Sequence, residues 1–409
     1  MIKSIDSVCM FTNLYPPVVS GSSTQSSFLA REFAKQGKNV SVVTASLNPK
    51  DSFYEMVEGV HVYRIPCLKL PRIEIALNFP WLNMAYLPGN RERITKIIKK
   101  HRPDVLHLHN HMFDLAFAAV AMRQRFRIPL VVTIHTMIKH ADNFYNLILY
   151  PLDRLFLKNA VIKNSDIIIS PDHNILDYAK SAFGSGNIHR RVPYGIKPPA
   201  DPIRKNVEKL RERYSLDGKC VIISIGHVHK IRDRRELVEA MPLVLRRIPN
   251  VVLMIIGAVT TDIPSKTAKK LGVDKNIVFT GPVPHEMIGN FLALADIEAH
   301  WLNQDSPART SLGVASLECM GAGKVVMSIA NEETYGSGVL KNGENVILVK
   351  SGNPSYLADS IVDILRDDER RRQIGMQAQK TIKENFSWER ICADTDAVYM
   401  EAVRRYGSA

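Results

Sequence analysis

"VPYGIKPPADPIRK", residues 192–205, contains four prolines and Gly195. Proline donates no backbone hydrogen bond and glycine loses the most conformational freedom on ordering, so this stretch disfavours helix and strand. It separates two series of short β-branched runs, each alternating with longer amphipathic segments, which is typical of βαβ units. The predicted strands before and after it are Ser7–Thr12, Val40–Thr44, Val60–Ile65, Val105–His109, Leu130–Ile134 and Ile167–Ser170, then Cys220–Ile225, Val252–Ile256, Ile277–Thr280, Ile297–Ala299, Val325–Ser328 and Val346–Val349.

We therefore predict an α/β fold with two Rossmann-like, doubly wound domains, residues 1–198 and 199–385. The length of 409 residues fits two or three domains. Ligands of such sheets bind beyond the carboxyl ends of the strands, so we expect a ligand site in an interdomain cleft. The fold alone does not decide the function.

Charge is distributed unevenly along the chain. The sequence has 54 Lys/Arg and 41 Asp/Glu, a net charge of +13. Residues 1–200 carry 25 − 14 = +11 of this, and residues 201–409 carry 29 − 27 = +2. The positive charge of the first half therefore indicates an anionic partner: a membrane surface, a nucleic acid or an acidic acceptor. Nucleic acid is the least favoured, because no binding motif accompanies the charge.

The composition indicates a cytoplasmic protein. Apolar runs such as "VVLMIIG" are far shorter than the roughly 20 residues needed to span a bilayer. Lys3 and Asp6 interrupt the only apolar stretch at the start, which argues against a secretory signal. The cysteines are scattered without metal-like spacing, so we expect reduced thiols. They are Cys9, Cys67, Cys220, Cys319 and Cys392.

Two groups of polar residues follow predicted strands of the first domain. Gly21 opens a helix after the first strand, where free N–H groups could bind an anion, although an ordinary strand-to-helix turn fits equally. Histidines gather at the ends of two later strands, at His107, His109, His111 and His135. Their alternation resembles a metal site, but no Cys or carboxylate pattern accompanies it. We favour histidines that hydrogen-bond a polar ligand.

The motifs occur together in a known order. "YPPVVSG", "PDVLHLHNH", "VVTIHTM", "VPYGIKPP", "GHVHKIRDRRELVEAM" and "LGVASLECMGAGKVV" resemble, in sequence order, the retaining glycosyltransferases of family 4. The resemblance covers nearly the whole chain. It implies a GT-B fold, a nucleotide-sugar donor in the second domain, no cofactor and no metal. It also implies an acceptor in the first domain, to which a last helix, residues 386–409, crosses back.

The phosphate-binding segment departs from the family pattern G-R-L-x-x-x-K-G. Aligned from Gly226, it has His227 for the arginine, Arg232 for the lysine and Asp233 for the second glycine. Positive charge is needed there, because negative charge grows on the departing diphosphate. Arg232 can supply it, and His227 can if protonated. Lys230 and Arg234 could substitute, and a solvated basic turn is the alternative.

A second departure lies in "DSPARTSLGVASLECMGAG", residues 305–323. The family has one glutamate near the donor sugar and another, eight residues later, on the ribose. Glu318 matches the second, but Thr310 stands at the first position. Backbone N–H groups of Ser311, Leu312 and Gly313 should still face the donor at a helix N-terminus. Glu318 could instead be an acid favoured by the helix dipole.

Two segments of the basic half mix aromatic side chains with cations. One is "LNFPWLNMAYLPGNRERITKIIKKHRPD", and the other is "NFYNLILYPLDRLFLKNAVIK". Both suit the headgroup region of an anionic leaflet, and both also suit ordinary amphipathic helices packed on a sheet. The motifs "VVSG" and "TIHTM" look most like the branch that acts on lipid or lipid-linked acceptors.

The sequence thus predicts a retaining, metal-independent hexosyltransferase with a UDP- or GDP-linked donor and a membrane-associated or lipid-linked acceptor. It would be cytoplasmic or peripheral on the inner face of the membrane. His109 and His135 are assigned to the sugar, His227 and Arg232 to the diphosphate. One alternative is a weakly catalytic, binding-only partner subunit, because three expected catalytic positions are substituted. The other is a sugar-nucleotide epimerase, which would need no acceptor.

Overall fold

A computed structural model describes residues 4–18, 20–48, 50–69, 83–138, 143–184, 186–229, 232–299, 312–349 and 353–408. Contacts divide the chain into two units, residues 1–195 with 388–409 and residues 196–387. Both are Rossmann-like α/β domains, which confirms the predicted fold class. No helix in the described part of the chain is long and apolar enough to cross a membrane.

Unit 1 is built around an eight-stranded sheet in the order β10-β9-β8-β7-β1-β2-β4-β3, parallel except for β3. Its strands are β1 Ser7–Phe11, β2 Asn39–Ser46, β3 Tyr54–Val57, β4 Val60–Pro66, β7 Val105–His109, β8 Leu130–Thr133, β9 Ile167–Ser170 and β10 Ile188–Arg191. A separate pair is formed by β5 Leu68–Lys69 and β6 Asn83–Met84. Its helices are α1 Gly21–Lys35, α2 Pro88–His101, α3 Leu115–Phe126, α4 Asn143–Pro151, α5 Lys158–Ala160 and α6 His173–Phe183, with a π-helical turn Leu152–Leu157 between α4 and α5.

Unit 2 has a six-stranded sheet, parallel at every described pairing, in the order β13-β12-β11-β14-β15-β16. Its strands are β11 Cys220–Ile225, β12 Val251–Ile256, β13 Ile277–Gly281, β14 Ile297–Ala299, β15 Val325–Ser328 and β16 Ile347–Leu348. Its helices are α7 Arg204–Arg213, α8 Arg235–Leu245, α9 Ile263–Lys270, α10 Ile288–Leu294, α11 Val314–Gly321, α12 Pro354–Leu365 and α13 Asp368–Asn385.

Central strands are buried on both faces, which explains their continuous apolar sequences. All six residues of β12, "VVLMII", are buried. Apolar layers from the helices cover each face of the two sheets. The last helix, α14 Trp388–Ser408, packs in unit 1, where Tyr399 is fully buried beside the aromatic ring of Phe33.

Candidate functional site

The strand order of unit 1 reverses between β1 and β7, and a ligand of a doubly wound sheet binds at such a reversal. Strand β7 ends at His109, and His135 lies two residues beyond the end of β8. On the other side of the reversal, β1 leads to α1, whose first residue is Gly21. Ser20 caps this helix, and a Cβ at Gly21 would meet no described atom within 4 Å. The elements therefore bring Gly21, His109 and His135 to the same edge of the sheet.

His107 is committed to the fold. Its Nδ1 lies 2.6 Å from the hydroxyl of Tyr399, and its Nε2 lies 2.7 Å from Oγ1 of Thr133. Burial, with a smaller contribution from His135, lowers the pKa of His107 to about 3. Since both ring nitrogens are hydrogen-bonded internally, the side chain holds α14 against the sheet and is not free to bind a ligand.

His109 differs from His107 in that one of its nitrogens is uncommitted. Its Nδ1 lies 3.0 Å from Nε2 of His135, whose Nδ1 lies 3.1 Å from the hydroxyl of Tyr194. The rings of His109 and His135 stack at 5.3 Å, and those of His135 and Tyr194 at 5.6 Å. Nε2 of His109 is buried and contacts no hydrogen-bond partner in the described residues.

The chain of contacts assigns protons to these nitrogens. We assign the hydroxyl proton of Tyr194 to the shorter of its two contacts, the 3.1 Å contact with Nδ1 of His135, over the 3.4 Å contact with the His135 carbonyl oxygen. His135 then carries its proton on Nε2 and donates to Nδ1 of His109. The proton of His109 consequently lies on Nε2. The end of β7 therefore presents one buried, neutral N–H donor, a group suited to a sugar hydroxyl or a phosphate oxygen.

Burial keeps the imidazole rings of His107, His109 and His135 neutral. It lowers the pKa of His135 to about 3, and burial together with His107 and His135 holds the pKa of His109 well below its usual range. A ring that stays neutral at pH 7 can donate a hydrogen bond but cannot act as a charged acid. No group of three described His, Cys, Asp or Glu side chains is arranged to hold a metal ion.

The depressed pKa of His107 predicts a loss of stability in acid. The unfolded chain binds a proton at this ring below its ordinary pKa of 6.5, whereas the folded chain does so only near 3. The contribution is therefore full above pH 6.5 and is lost as the pH falls, by about 1.4 kcal/mol per pH unit. Urea unfolding at pH 7 and pH 5 should show His107→Gln losing less stability on acidification than the wild type. An equal loss in both proteins would contradict the assignment.

His111 points to a different partner. Its Nε2 lies 2.9 Å from Oδ1 of Asp153, which is itself buried, and Tyr178 donates to the other carboxylate oxygen. Asp153 lies in the π-helical turn after α4. The alternation of His107, His109 and His111 thus does not make one site, because each ring has its own partners.

Unit 2 also has a reversal in strand order, between β11 and β14. Strand β11 ends one residue before Gly226, which has φ 131° and packs closely on Gly257. A Cβ at Gly257 would lie 2.5 Å from the carbonyl oxygen of Gly226, so the two backbones approach too closely for a side chain. The turn leaves His227 exposed and Arg232 partly exposed. These are the two basic side chains predicted to face the diphosphate.

Arg234 is an internal cation. Its Nε donates to Oγ of Ser224 at 2.8 Å, and its Nη1 donates to the carbonyl oxygen of Arg232 at 2.8 Å. It lies close enough to the buried Glu298 to counter, in part, the rise in the pKa of that carboxyl to about 8 caused by burial. Arg234 is therefore committed to the fold and is a poor substitute for the missing phosphate ligands. Lys230, the other substitute, lies outside the described residues.

Asp233 lies two residues before the start of α8. The carboxylate is buried, accepts a hydrogen bond from the backbone N–H of Arg235 at 3.0 Å and pairs with the Arg235 guanidinium. A carboxylate at a helix N-terminus occupies the position that would otherwise attract a phosphate. This turn therefore has fewer free backbone N–H groups for a diphosphate than the family pattern implies.

Glu318 contacts a residue that the sequence did not single out, in the loop that follows β13. It lies in α11, and its Oε1 is 3.2 Å from Nε2 of His285, which begins the turn after β13. The hydrogen bond that the Glu318 carboxylate accepts raises the pKa of His285, whose side chain is mostly exposed. Gly313 caps α11, and the carbonyl oxygen of Leu312 accepts from Tyr335 at 2.9 Å. Thr310 and Ser311 lie outside the described residues.

Both halves of the chain match known families. Residues 19–198 match the family model described as Glycosyltransferase Family 4, and residues 206–381 match Glycosyl transferases group 1. An uncharacterized glycosyltransferase of Methanocaldococcus jannaschii is 26% identical over 98% of this chain and 99% of its own length. The D-inositol 3-phosphate glycosyltransferase of Rhodococcus erythropolis is 24% identical over 93% of this chain and 86% of its own. The Anabaena protein HepE, solved with UDP and glucose, is similar in fold, with a TM-score of 0.67 and 15% identity over 96% of this chain and 98% of HepE.

Proposed function

Because the chain belongs to the GT-B glycosyltransferases, with a family 4 domain followed by a group 1 domain, we propose that it is a retaining hexosyltransferase. It moves a sugar from a nucleotide donor to an acceptor that unit 1 holds at the membrane. The observation that carries this proposal is the buried Nε2 of His109 at the end of β7, which has no hydrogen-bond partner in the described residues and to which we assign the ring proton. Such a donor has no role in the fold and is the group that would position a sugar hydroxyl.

The donor would bind at the strand reversal of unit 2. His227 and Arg232 would contact the diphosphate, and Glu318 would accept hydrogen bonds from the ribose hydroxyls. The Arg232 guanidinium is always charged and can contact two phosphate oxygens at once. These two basic side chains would stabilise the departing diphosphate without a resident metal. The UDP complex of a protein with this fold supports a UDP-linked donor, and a GDP-linked donor fits the same groups.

The chemistry follows from what the neutral histidines cannot do. Burial lowers the pKa of His135 to about 3 and holds that of His109 well below its usual range, so both rings position the sugar and neither deprotonates the acceptor. The bond from the anomeric carbon to the phosphate oxygen breaks, and a bond to the acceptor oxygen forms on the same face. The acceptor proton passes to the departing phosphate oxygen. Configuration at the anomeric carbon is then retained.

A membrane-associated acceptor is favoured by charge. Residues 1–200 carry +11, and the Rhodococcus relative is named for an inositol 3-phosphate acceptor. A phosphorylated inositol has the chemistry of an anionic lipid headgroup, so a basic acceptor domain suits either. The lipid is preferred because unit 1 also exposes a large apolar surface, described below.

A donor screen tests the proposal. Purified protein would be incubated with UDP- and GDP-linked hexoses, with and without lipid extract, and donor consumption and the anomer of the product would be measured by NMR. We expect one nucleotide-sugar to be consumed, slowly without acceptor and faster with it. An inverted product would contradict retention. No consumption of any donor would contradict transfer.

Glu318→Gln should weaken UDP or GDP binding by roughly tenfold or more. A hydrogen bond to a charged acceptor contributes about 1.5–3 kcal/mol, and the amide keeps the shape but not the charge. Isothermal titration gives the dissociation constant. Glu344→Gln, at an exposed position of the same unit, is the control and should bind normally. Equal nucleotide affinities in the two variants would show that Glu318 does not contact the ribose.

A binding-only partner subunit is the second candidate. The buried Asp233 favours it, because its carboxylate occupies the helix N-terminus at which the family pattern has glycine. This candidate predicts nucleotide binding that depends on Glu318 but no donor consumption under any condition. The same two experiments therefore separate it from the transferase.

A further inference from the structure

The helix after β8 has its apolar side facing solvent. Residues 143–160, here called the outer helix, comprise α4, the π-helical turn and α5. The side chain of Leu147 is 72% exposed, that of Phe144 65% and that of Leu155 64%. Large exposed apolar side chains recur at intervals of three and four, which is one helical stripe. They are Phe144, Leu147, Ile148, Leu152, Leu155 and Phe156.

Polar groups of the same helix face inward. Asn146 and Asp153 are buried, and Asp153 is held by the imidazole of His111 and the hydroxyl of Tyr178. Leu157 is also buried and Leu149 packs against the core, so this helix has apolar side chains on both sides. An amphipathic helix on a soluble domain normally has its apolar stripe only against the core. An apolar patch of this kind on a folded domain marks an interaction surface. The buried hydrogen bonds fix which side of the outer helix faces out.

The solvent-facing charges beside the stripe are positive. Within residues 143–164 the cations are Arg154, Lys158 and Lys163, and the acid, Asp153, is buried and paired. The Arg154 guanidinium lies 5.0 Å from the centre of the Tyr150 ring, an aromatic–cation pair suited to the headgroup region. Apolar side chains flanked by cations match an anionic leaflet, which offers acyl chains below and negative headgroups above.

We infer that the outer helix lies in the plane of an anionic bilayer with its stripe inserted among the acyl chains. A second copy of the chain is a poorer occupant, because symmetric pairing would bring these cations near each other without an exposed acid on the helix to neutralise them. The inference deepens the proposed function by naming the surface that presents the acceptor. His111 follows His109 by two residues, so the outer helix is fixed to the strand end that carries the candidate donor.

Vesicle flotation of the full chain, without any nucleotide-sugar, tests the inference. The wild type should bind vesicles containing phosphatidylglycerol at least tenfold more than vesicles of phosphatidylcholine alone. Leu147→Gln combined with Leu155→Gln should lower binding to the anionic vesicles at least tenfold. Arg154→Gln combined with Lys158→Gln should lower it several-fold and weaken its dependence on salt. Met376→Gln, which changes an equally exposed apolar residue of unit 2, should bind like the wild type.

Other outcomes overturn the inference without touching the transfer reaction. Absence of wild-type flotation would do so, as would unchanged flotation of the Leu147 and Leu155 variant. If that variant only converts a dimer into a monomer on gel filtration, the stripe is a self-contact. Donor hydrolysis in solution, measured on the same samples, reports the proposed function separately, and we expect it to be unaffected by these surface changes.

Discussion

His109→Ala is expected to lower kcat about 10²-fold, with a smaller change in KM for the donor. The wild-type ring is buried and neutral, and its orientation is fixed by His135 and Tyr194. Removing one preorganised donor of this kind costs roughly 10²–10³ in rate. Single-turnover kinetics at saturating donor would measure the loss in the chemical step.

Two further variants show which nitrogen of His109 acts. In His109→Gln the side-chain amide reaches the position of Nε2, whereas in His109→Asn it reaches only that of Nδ1. Both replace a buried ring by an amide, so both carry a similar cost in stability. We expect the glutamine variant to keep kcat within about tenfold of the wild type and the asparagine variant to match alanine, the loss expected for one missing donor. The reverse order would place the ligand at Nδ1 and contradict the proton assignment.

The fold was readable because buried parallel strands have a simple sequence signature. The prediction Val105–His109 coincides with β7, and Cys220–Ile225 coincides with β11. Strands β3 and β10 were not predicted. They form the two edges of the eight-stranded sheet, and β10 has the sequence "IHRR" with two exposed arginines. An edge strand has polar residues because one side meets water, so it lacks the continuous apolar run of a central strand.

The candidate site was predicted less completely, because the destination of a side chain depends on tertiary packing. Histidines 107, 109 and 111 alternate in sequence, yet His107 holds α14, His109 contacts His135 and His111 holds the outer helix. Tyr194 lies in the quoted segment "VPYGIKPP", but only the structure brings it to His135, and only the structure brings His285 to Glu318. Arg232 and Arg234 look equivalent in sequence, and the second is buried by its bond to Ser224.

The same limit applies to the outer helix. Its apolar period predicts a helix with one apolar side but not the direction in which that side faces. Both interpretations, a helix packed on the sheet and a helix at the headgroups, were open from sequence. The direction is set by Asp153, because a buried carboxylate needs partners and His111 and Tyr178 supply them. We therefore expect the buried Asp153 to contribute most to the direction in which the apolar stripe points.

Asp153→Ala is therefore expected to destabilise unit 1 by about 3 kcal/mol, because breaking a buried pair leaves the remaining polar groups uncompensated. For a domain of roughly 200 residues this lowers Tm by about 6–12 °C. The chain offers a matched control in Asp177, which pairs with His173 at 3.1 Å on the exposed face of α6. An exposed pair of this kind contributes about 0–1 kcal/mol, so Asp177→Ala should scarcely change Tm.

Hydrogen exchange distinguishes this role of Asp153 from general loosening. If Asp153 fixes the outer helix, amides of residues 143–160 should lose protection first in Asp153→Ala, and those of the central strand β7 should keep theirs until global unfolding. Asp153→Asn should fall between the wild type and alanine, since the amide can still bond one of its two partners. A Tm for Asp153→Ala as high as that for Asp177→Ala would show that the outer helix is held by its other contacts, and the direction of its apolar stripe would then need another cause.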